Sequence, residues 1–484
     1  MDLRRTRSII LFIILSIFLP TSLSSSSNGV FRVHHKFYGQ QRSLSALSAH
    51  DTHRRGRILS AIDIPLGGNG NPNNAGLYYA KIQLGSPPQD YHVQVDTGSD
   101  LLWVNCIQCT TCHKESGIGI KLRLYDPKES VTAKVLPCDT DFCGSVHHGQ
   151  NECTSNGLCL YQVRYADGSQ TDGYFVRDTL VYDRVTGNDV PSPGNASVVF
   201  GCGAKQSGDL GTSNEAVDGI IGFGQSNSSV LSQLADAGKV KKVFSHCLDG
   251  QNGGGIFAIG QVVKPKVKST PLVPDQLHYN VNLKDISVGK SVLDLPSDLF
   301  ETGERKGTII DSGTTLAYLP DIAYKALLSE ILSNHGDLRI LVVESQYQCF
   351  QYSGSVDDGF PTVTFHFEDS VTLTVYPHEY LFTTEVAGKE LWCFGWQNAG
   401  LQQEAKDLAL LGDIVLSNKL FVYDLENQVI GWTEYNCSSS IELLDDHSKS
   451  TSVDAHDLSS AYTLNTRRIL LMGLLSIVLH KIYF

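Results

Sequence analysis

Only two methionines and four tryptophans occur in this chain of 484 residues, and basic side chains are the minority charge, 38 Lys and Arg against 51 Asp and Glu. The resulting net charge of −13 excludes nucleic acid as a partner, because gripping phosphates requires a basic face. An acidic chain also sheds net charge as pH falls, which suits an acidic medium. The two terminal apolar stretches, Ile9–Leu19 and Ile469–Phe484, fall short of the roughly 20 residues that a helix needs to cross a bilayer. Long amphipathic helices are scarce, Tyr324–Leu332 and Ser229–Ala237 being the best candidates. No histidine spacing recurs as a metal site would require, so His34-His35 and His147-His148 read as surface loops. Gly253-Gly254-Gly255 lacks the Lys and helix of a phosphate loop and reads as a hairpin turn.

What the chain does contain is glycine, 44 residues, and many short segments rich in β-branched and aromatic side chains. Tyr79–Leu84, Tyr91–Val95, Tyr161–Tyr165, Ser197–Phe200, Val363–Phe367 and Leu420–Asp424 are each bounded by turn residues, which predicts an all-β architecture with a few short helices. A length of 484 residues predicts two or more compact lobes. Twelve cysteines, an even number, point to disulfides in an oxidising compartment, and zinc is the alternative for those at close spacing.

The ends carry addresses. Arg4, Arg5 and Arg7 precede Ile9–Leu19 and the serine-rich Thr21–Ser27, the anatomy of a signal peptide over residues 1–26. Residues 27–76 form a basic leader and a Gly- and Asn-rich linker (67–76). The leader either folds over an acidic cleft or is simply trimmed near Arg54, Arg55 and Arg57. At the other end, small residues, a polar spacer and the tail from Ile469 make a signal for a GPI anchor, with attachment at Ser459 or Ser460 and removal of residues 461–484. A tail-anchoring helix is the alternative. Residues 438–460 then read as a flexible polar stalk. Asn195, Asn227 and Asn436 each open an Asn-X-Ser sequon.

The chemistry lies in a repetition. Val93-Gln94-Val95-Asp96-Thr97-Gly98-Ser99 runs an apolar strand into a turn that carries a carboxylate, and Thr308-Ile309-Ile310-Asp311-Ser312-Gly313-Thr314-Thr315 does so again. One such tripeptide is an ordinary Asx turn. Two are each followed, at similar distance, by an apolar-apolar-Gly element, Ile220-Ile221-Gly222 and Leu410-Leu411-Gly412. This internal duplication predicts two related lobes that each bring one carboxylate to a shared seam.

From Tyr78 to Asn436 the chain resembles the pepsin-like family of bilobal aspartic proteases. The resemblance implies two related six-stranded, β-barrel-like lobes, residues 77–260 and 261–437, with a cleft between them. It implies Asp96 and Asp311 as the catalytic pair, with Gly98, Gly313, Ser99 and Thr314 shaping their turns. Tyr165, in Tyr165-Ala166-Asp167-Gly168-Ser169, matches the flap tyrosine, and Trp103 the tryptophan that supports it. It further implies a monomer acting on polypeptide substrates through an activated water, with neither cofactor nor metal. The Cys-rich insertion at 106–159 is similar to that of the nepenthesin-like plant branch, and the C-terminal signal to its GPI-linked members. A Cys349–Cys393 bridge in the second lobe follows from the same likeness. The rival expectation is a non-catalytic inhibitor or receptor on this fold, and two intact Asp turns favour the enzyme.

Overall fold

The computed structural model describes residues 60–458, apart from 73–75, 148–152, 187–191, 212, 345, 402–404 and 446–448. Strand follows strand because apolar side chains alternate: in Gln89–Asp96, Tyr91, Val93 and Val95 are buried while Asp90, His92 and Gln94 on the other face are not. The same period shapes Val363–Phe367. The two amphipathic candidates are short helices, Val230–Asp236, capped by Ser229 through the amide of Ser232, and Asp321–Ile331. Gly253-Gly254-Gly255 makes the turn between antiparallel strands Val243–Leu248 and Gly255–Ile259, with φ of +86°, +67° and +126° that only glycine adopts easily.

A 15-stranded sheet carries strands from both halves of the chain. The join is Val243–Leu248, which pairs with Gly255–Ile259 on one side and with Lys419–Asp424 on the other. Beneath it lies an aromatic cluster in which Phe244 stacks on Tyr423 at 4.3 Å, Phe223 meets Phe257 at 4.7 Å, and Tyr279 meets Tyr423 at 4.7 Å between centroids. The duplication is visible in topology. Gly219–Gly222 runs parallel to Gln89–Asp96, and Asp407–Leu411 runs parallel to Lys306–Ile310. Each of these crossing strands also pairs antiparallel with the strand that follows its Asp turn, Leu102–Asn105 or Ala317–Leu319.

Two expectations from the sequence are corrected. The region read as leader and linker contributes strands Ala61–Asp63 and Leu66–Asn69. The first is sealed between Gln170–Val185 and Gly255–Ile259, because Ile62, Ile64 and Leu66 alternate into the core despite their Gly-rich surroundings. The expected stalk is folded as well. Ser440–Leu444 and Ser450–Asp454 form a hairpin on Val262–Lys264, burying Ile441, Leu443 and Val453. Burial of such side chains contributes up to about 1.5–3 kcal/mol each, enough to fix a segment that is polar only on its outer face. Beyond the hairpin, His456 exchanges both backbone hydrogen bonds with Gly255 and pairs with Asp63 at 2.8 Å, and Leu458 N donates to Leu66 O.

All twelve cysteines are paired. Cys106–Cys202, Cys109–Cys112, Cys138–Cys153 and Cys143–Cys159 lie in the first half, Cys349–Cys393 in the second as expected, and Cys247–Cys437 ties the first half to the start of the C-terminal hairpin. Cys143, Cys159 and His147 do cluster, but both sulfurs are in the bridge and His147 Nε2 bonds Leu160 O at 2.8 Å, which leaves no zinc site there. Among the described residues no helix is long and apolar enough to cross a membrane.

Candidate active site

Asp96 ends its strand and Asp311 follows directly on Lys306–Ile310, so each carboxylate sits where an extended backbone turns. The two turns solve the same local problem alike. Gly98 N donates to Asp96 Oδ1 at 2.7 Å and Ser99 Oγ to Asp96 Oδ2; Gly313 N donates to Asp311 Oδ1 at 2.8 Å and Thr314 Oγ1 to Asp311 Oδ2 at 2.7 Å. These donors orient each carboxylate and leave its remaining lone pairs toward the other. Both aspartates are nearly out of solvent, 5% and 8% exposed.

The glycines report how close the turns come. A Cβ on Gly98 would lie 2.6 Å from Asp311 Oδ1, and one on Gly313 only 2.1 Å from Asp96 Oδ1. Only hydrogen fits at either position. The crossing glycines are equally constrained: a Cβ on Gly222 would press on Ser99 O at 2.6 Å, and one on Gly412 on Thr314 O at 2.2 Å. The apolar-apolar-Gly elements therefore lock the turns from behind. Between the turns Ser312 N donates to Thr97 Oγ1 at 2.9 Å, and Gln94 Nε2 to Gly313 O at 3.3 Å.

Burial, with the neighbouring charge of Asp311 next in importance, pushes the Asp96 carboxyl up to about 7, against the lowering pull of its bonds from Ser99 and Gly98. Two such carboxyls cannot both ionise cheaply, so the pair keeps one proton through the acid range. Asp413, next to the second crossing glycine, is a third buried carboxyl. Burial, then the charges of Asp311 and Asp96, raise it well above the usual range, and its Oδ1 has no hydrogen-bond partner among the described residues. The position right after Gly412 was the only sequence signal for it.

Over the pair stands the hairpin Leu160–Arg164 with Gln170–Val185, whose tip turns at Gly168 with φ +86°. Trp103 Nε1 donates to Tyr165 Oη at 2.7 Å, and that hydroxyl also contacts the Ser99 side chain. Asp167 at the tip bears electrostatically on Tyr318 of the opposite half. Every expected site residue of the body (Asp96, Asp311, Gly98, Gly313, Ser99, Thr314, Tyr165, Trp103) converges here. Asn195, Asn227 and Asn436 are exposed, as a glycan acceptor must be. Ser459 and Ser460, and the signal peptide, lie outside the described residues.

Comparison with known proteins gives the chain's relatives. A family model described as "Xylanase inhibitor N-terminal" matches residues 78–261, and one described as "Xylanase inhibitor C-terminal" matches 278–434. Aspartic proteinase 39 of Arabidopsis thaliana is 51% identical across 95% of both chains, and Aspartic proteinase 36 of the same plant is 49% identical across 94% of both. The crystal structure of basic 7S globulin from soybean superimposes with a TM-score of 0.60 at 19% identity, covering 78% of this chain and 96% of that one, a likeness of fold.

Proposed function

Because the chain belongs to the pepsin-like plant aspartic protease family, we propose that it is an active aspartic endopeptidase in which Asp96 and Asp311 share one catalytic water. The observation that carries this reading is the pair of mutually apposed, glycine-backed turns, each orienting a buried carboxylate with two donors.

The chemistry follows from one proton on two carboxyls. The ionised member takes a proton from a water lying between them as that water attacks the scissile carbonyl carbon. The protonated member donates to the carbonyl oxygen, and the tetrahedral intermediate then collapses with proton transfer to the leaving amine. The Tyr165 hairpin covers an extended peptide and excludes bulk water. Since the proton on the pair is lost as pH rises past about 7, activity belongs to acid and falls toward neutrality. The terminal sequence signals support a secreted protein held by a GPI anchor at the outer face of the plasma membrane, and the three sequons support a glycoprotein.

A second reading, a binding protein that inhibits rather than cleaves, is favoured by the xylanase-inhibitor description of the matching family models. The deciding experiment is cleavage of a denatured globular substrate between pH 3 and 7 by protein that extends through Leu458. Stopping at Asn436 would remove Cys437 and orphan Cys247. Acid-favoured cleavage that is abolished by Asp96→Asn, by Asp311→Asn and by a pepstatin-type inhibitor supports the enzyme. Folded protein that cleaves nothing at any of these pH values supports the binding protein.

A further inference from the structure

The last four described residues, 455–458, are held differently from the hairpin that precedes them. The hairpin is fixed by burial of Ile441, Leu443 and Val453 and by the Cys247–Cys437 bridge at its root. Ala455, His456, Asp457 and Leu458 are all only half-buried. Apolar burial therefore contributes little to their docking, and polar bonds decide it.

Those bonds reach the root of the hairpin and two strands of the body. Ala455 N donates to Ser439 O, His456 exchanges both backbone bonds with Gly255, and Leu458 N donates to Leu66 O. The seat is cut to fit. A Cβ on Gly254 would fall 2.1 Å from His456 O, and one on Gly67 would fall 2.9 Å from Leu458 Cβ. Across this seat His456 Nε2 meets Asp63 Oδ2 at 2.8 Å, with the two side chains 30% and 24% exposed.

The ion pair is the part of this docking that answers to pH. Three charged groups face the imidazole: Asp63 from Ala61–Asp63, Asp454 from Ser450–Asp454 and Lys81 from Leu77–Leu84. The bond to Asp63 comes first in lifting the imidazole above its ordinary 6.5, and burial opposes it. The charges of Asp63 and Asp454 lift it further, and Lys81 pulls the other way. A group lifted in this way contributes fully below pH 6.5, and its contribution fades as pH rises through the lifted value. The neutral imidazole keeps at most one ordinary hydrogen bond to Asp63, without the charge that strengthens it.

We propose that residues 455–458 are an acid-closed clasp, locked by the His456–Asp63 ion pair, whose loosening at neutral pH opens a cleavable segment between the body and everything C-terminal to it. In acid the segment lies on Gly254 and Gly67 as a protected strand. At neutral pH it lifts off as a local opening while the disulfide-rooted hairpin stays folded. Freed, it is an extended polar segment of the kind that endopeptidases cut. The clasp does not involve the dyad, so it stands whether the protein cleaves its partners or only binds them.

The test follows hydrogen exchange at the His456 and Leu458 amides of the full chain from pH 5 to 8, normalised to the intrinsic rate at each pH. The amide of buried Ile441 serves as the internal reference. In the unmodified protein, protection at His456 and Leu458 should be about fivefold greater at pH 5 than at pH 8, the scale of one partly exposed ion pair, with Ile441 unchanged. His456→Gln and Asp63→Asn should each abolish that difference. His456→Arg, charged throughout this range, should keep the segment protected at both ends of it. At pH 8 an endopeptidase that cuts after acidic residues should cleave at Asp454 or Asp457 about fivefold faster in the unmodified protein than in His456→Arg. Equal protection at pH 5 and 8 in the unmodified protein, a pH dependence that survives His456→Gln, or a His456→Arg segment that opens at pH 8 overturns the proposal. His456→Gln and Asp63→Asn break the pair from opposite sides, so either one decides if the other does not fold.

Discussion

The two halves of the molecule repeat each other at the aspartates and their crossing strands, and differ farther out. Ser99 and Thr314 do the same work, as do Gly98 and Gly313, and Gly222 and Gly412. Yet the first half carries the Tyr165 hairpin and four disulfides, the second half one disulfide. Where the first half follows its crossing glycine with the aromatic Phe223, the second follows it with the buried carboxyl of Asp413. The lesson is a division of labour: the repeated parts hold the two carboxylates together, and the unrepeated parts differ in what covers and staples them.

The largest expected effect tests durability. Cys247–Cys437 spans 190 residues and joins the first half to the C-terminal hairpin, whereas Cys109–Cys112 spans 3. Loop-closure entropy gives about 5 kcal/mol for the first and about 2 for the second, so Cys247→Ser with Cys437→Ser should lower the denaturation midpoint far more than Cys109→Ser with Cys112→Ser. Equal losses in chemical denaturation would show that the bridge across the halves has no special standing.

Next comes pH. The Asp96 carboxyl rises from 3.8 to about 7 on folding, so its stabilisation is complete below pH 3.8 and is lost as pH climbs through 7. His246 falls from 6.5 to about 3, so its contribution is complete above pH 6.5 and is lost as pH drops toward 3. Asp96→Asn should therefore gain on the order of 3 kcal/mol of stability at pH 7 relative to pH 4, read as a change in the slope of Tm against pH. A slope unchanged by the substitution would mean that Asp96 titrates as an ordinary carboxyl.

A smaller effect probes the symmetric parts. Gly313→Ala and Gly98→Ala should each cost about 100-fold in kcat, since a misplacement near 1 Å suffices for that. Gly313→Ala should be the worse of the two, its Cβ falling 2.1 Å from a carboxylate oxygen against 2.6 Å. The smallest belongs to the lid: Tyr165→Phe removes the acceptor of Trp103 Nε1 and should lower kcat/KM about fivefold, the worth of one hydrogen bond. A loss as large as that from the glycines would make Tyr165 part of the reacting geometry rather than of its cover.

The legible parts of the sequence were those whose chemistry is local. An Asp-Thr-Gly or Asp-Ser-Gly turn behind an apolar strand announces itself, and repeating it announces two lobes. Val363–Phe367 was placed to the residue because its alternation is clean. What stayed hidden depends on partners far away in the chain. Tyr423 and His246 meet only after strands 177 residues apart in sequence have paired. Ile62, Ile64 and Leu66 do alternate, but glycine and asparagine next to them masked the strand. Likewise Ile441, Leu443 and Val453 were obscured by the serines, acids and lysine on the outer face of their hairpin.

The bond between His456 and Asp63, with Leu458 fastened to Leu66, makes the folded body begin and finish at one pole. A load applied to either end of the described body enters at the same spot. The described body could equally be joined head to tail there by a short linker and opened at a surface turn elsewhere, with the seam between its two Asp turns intact.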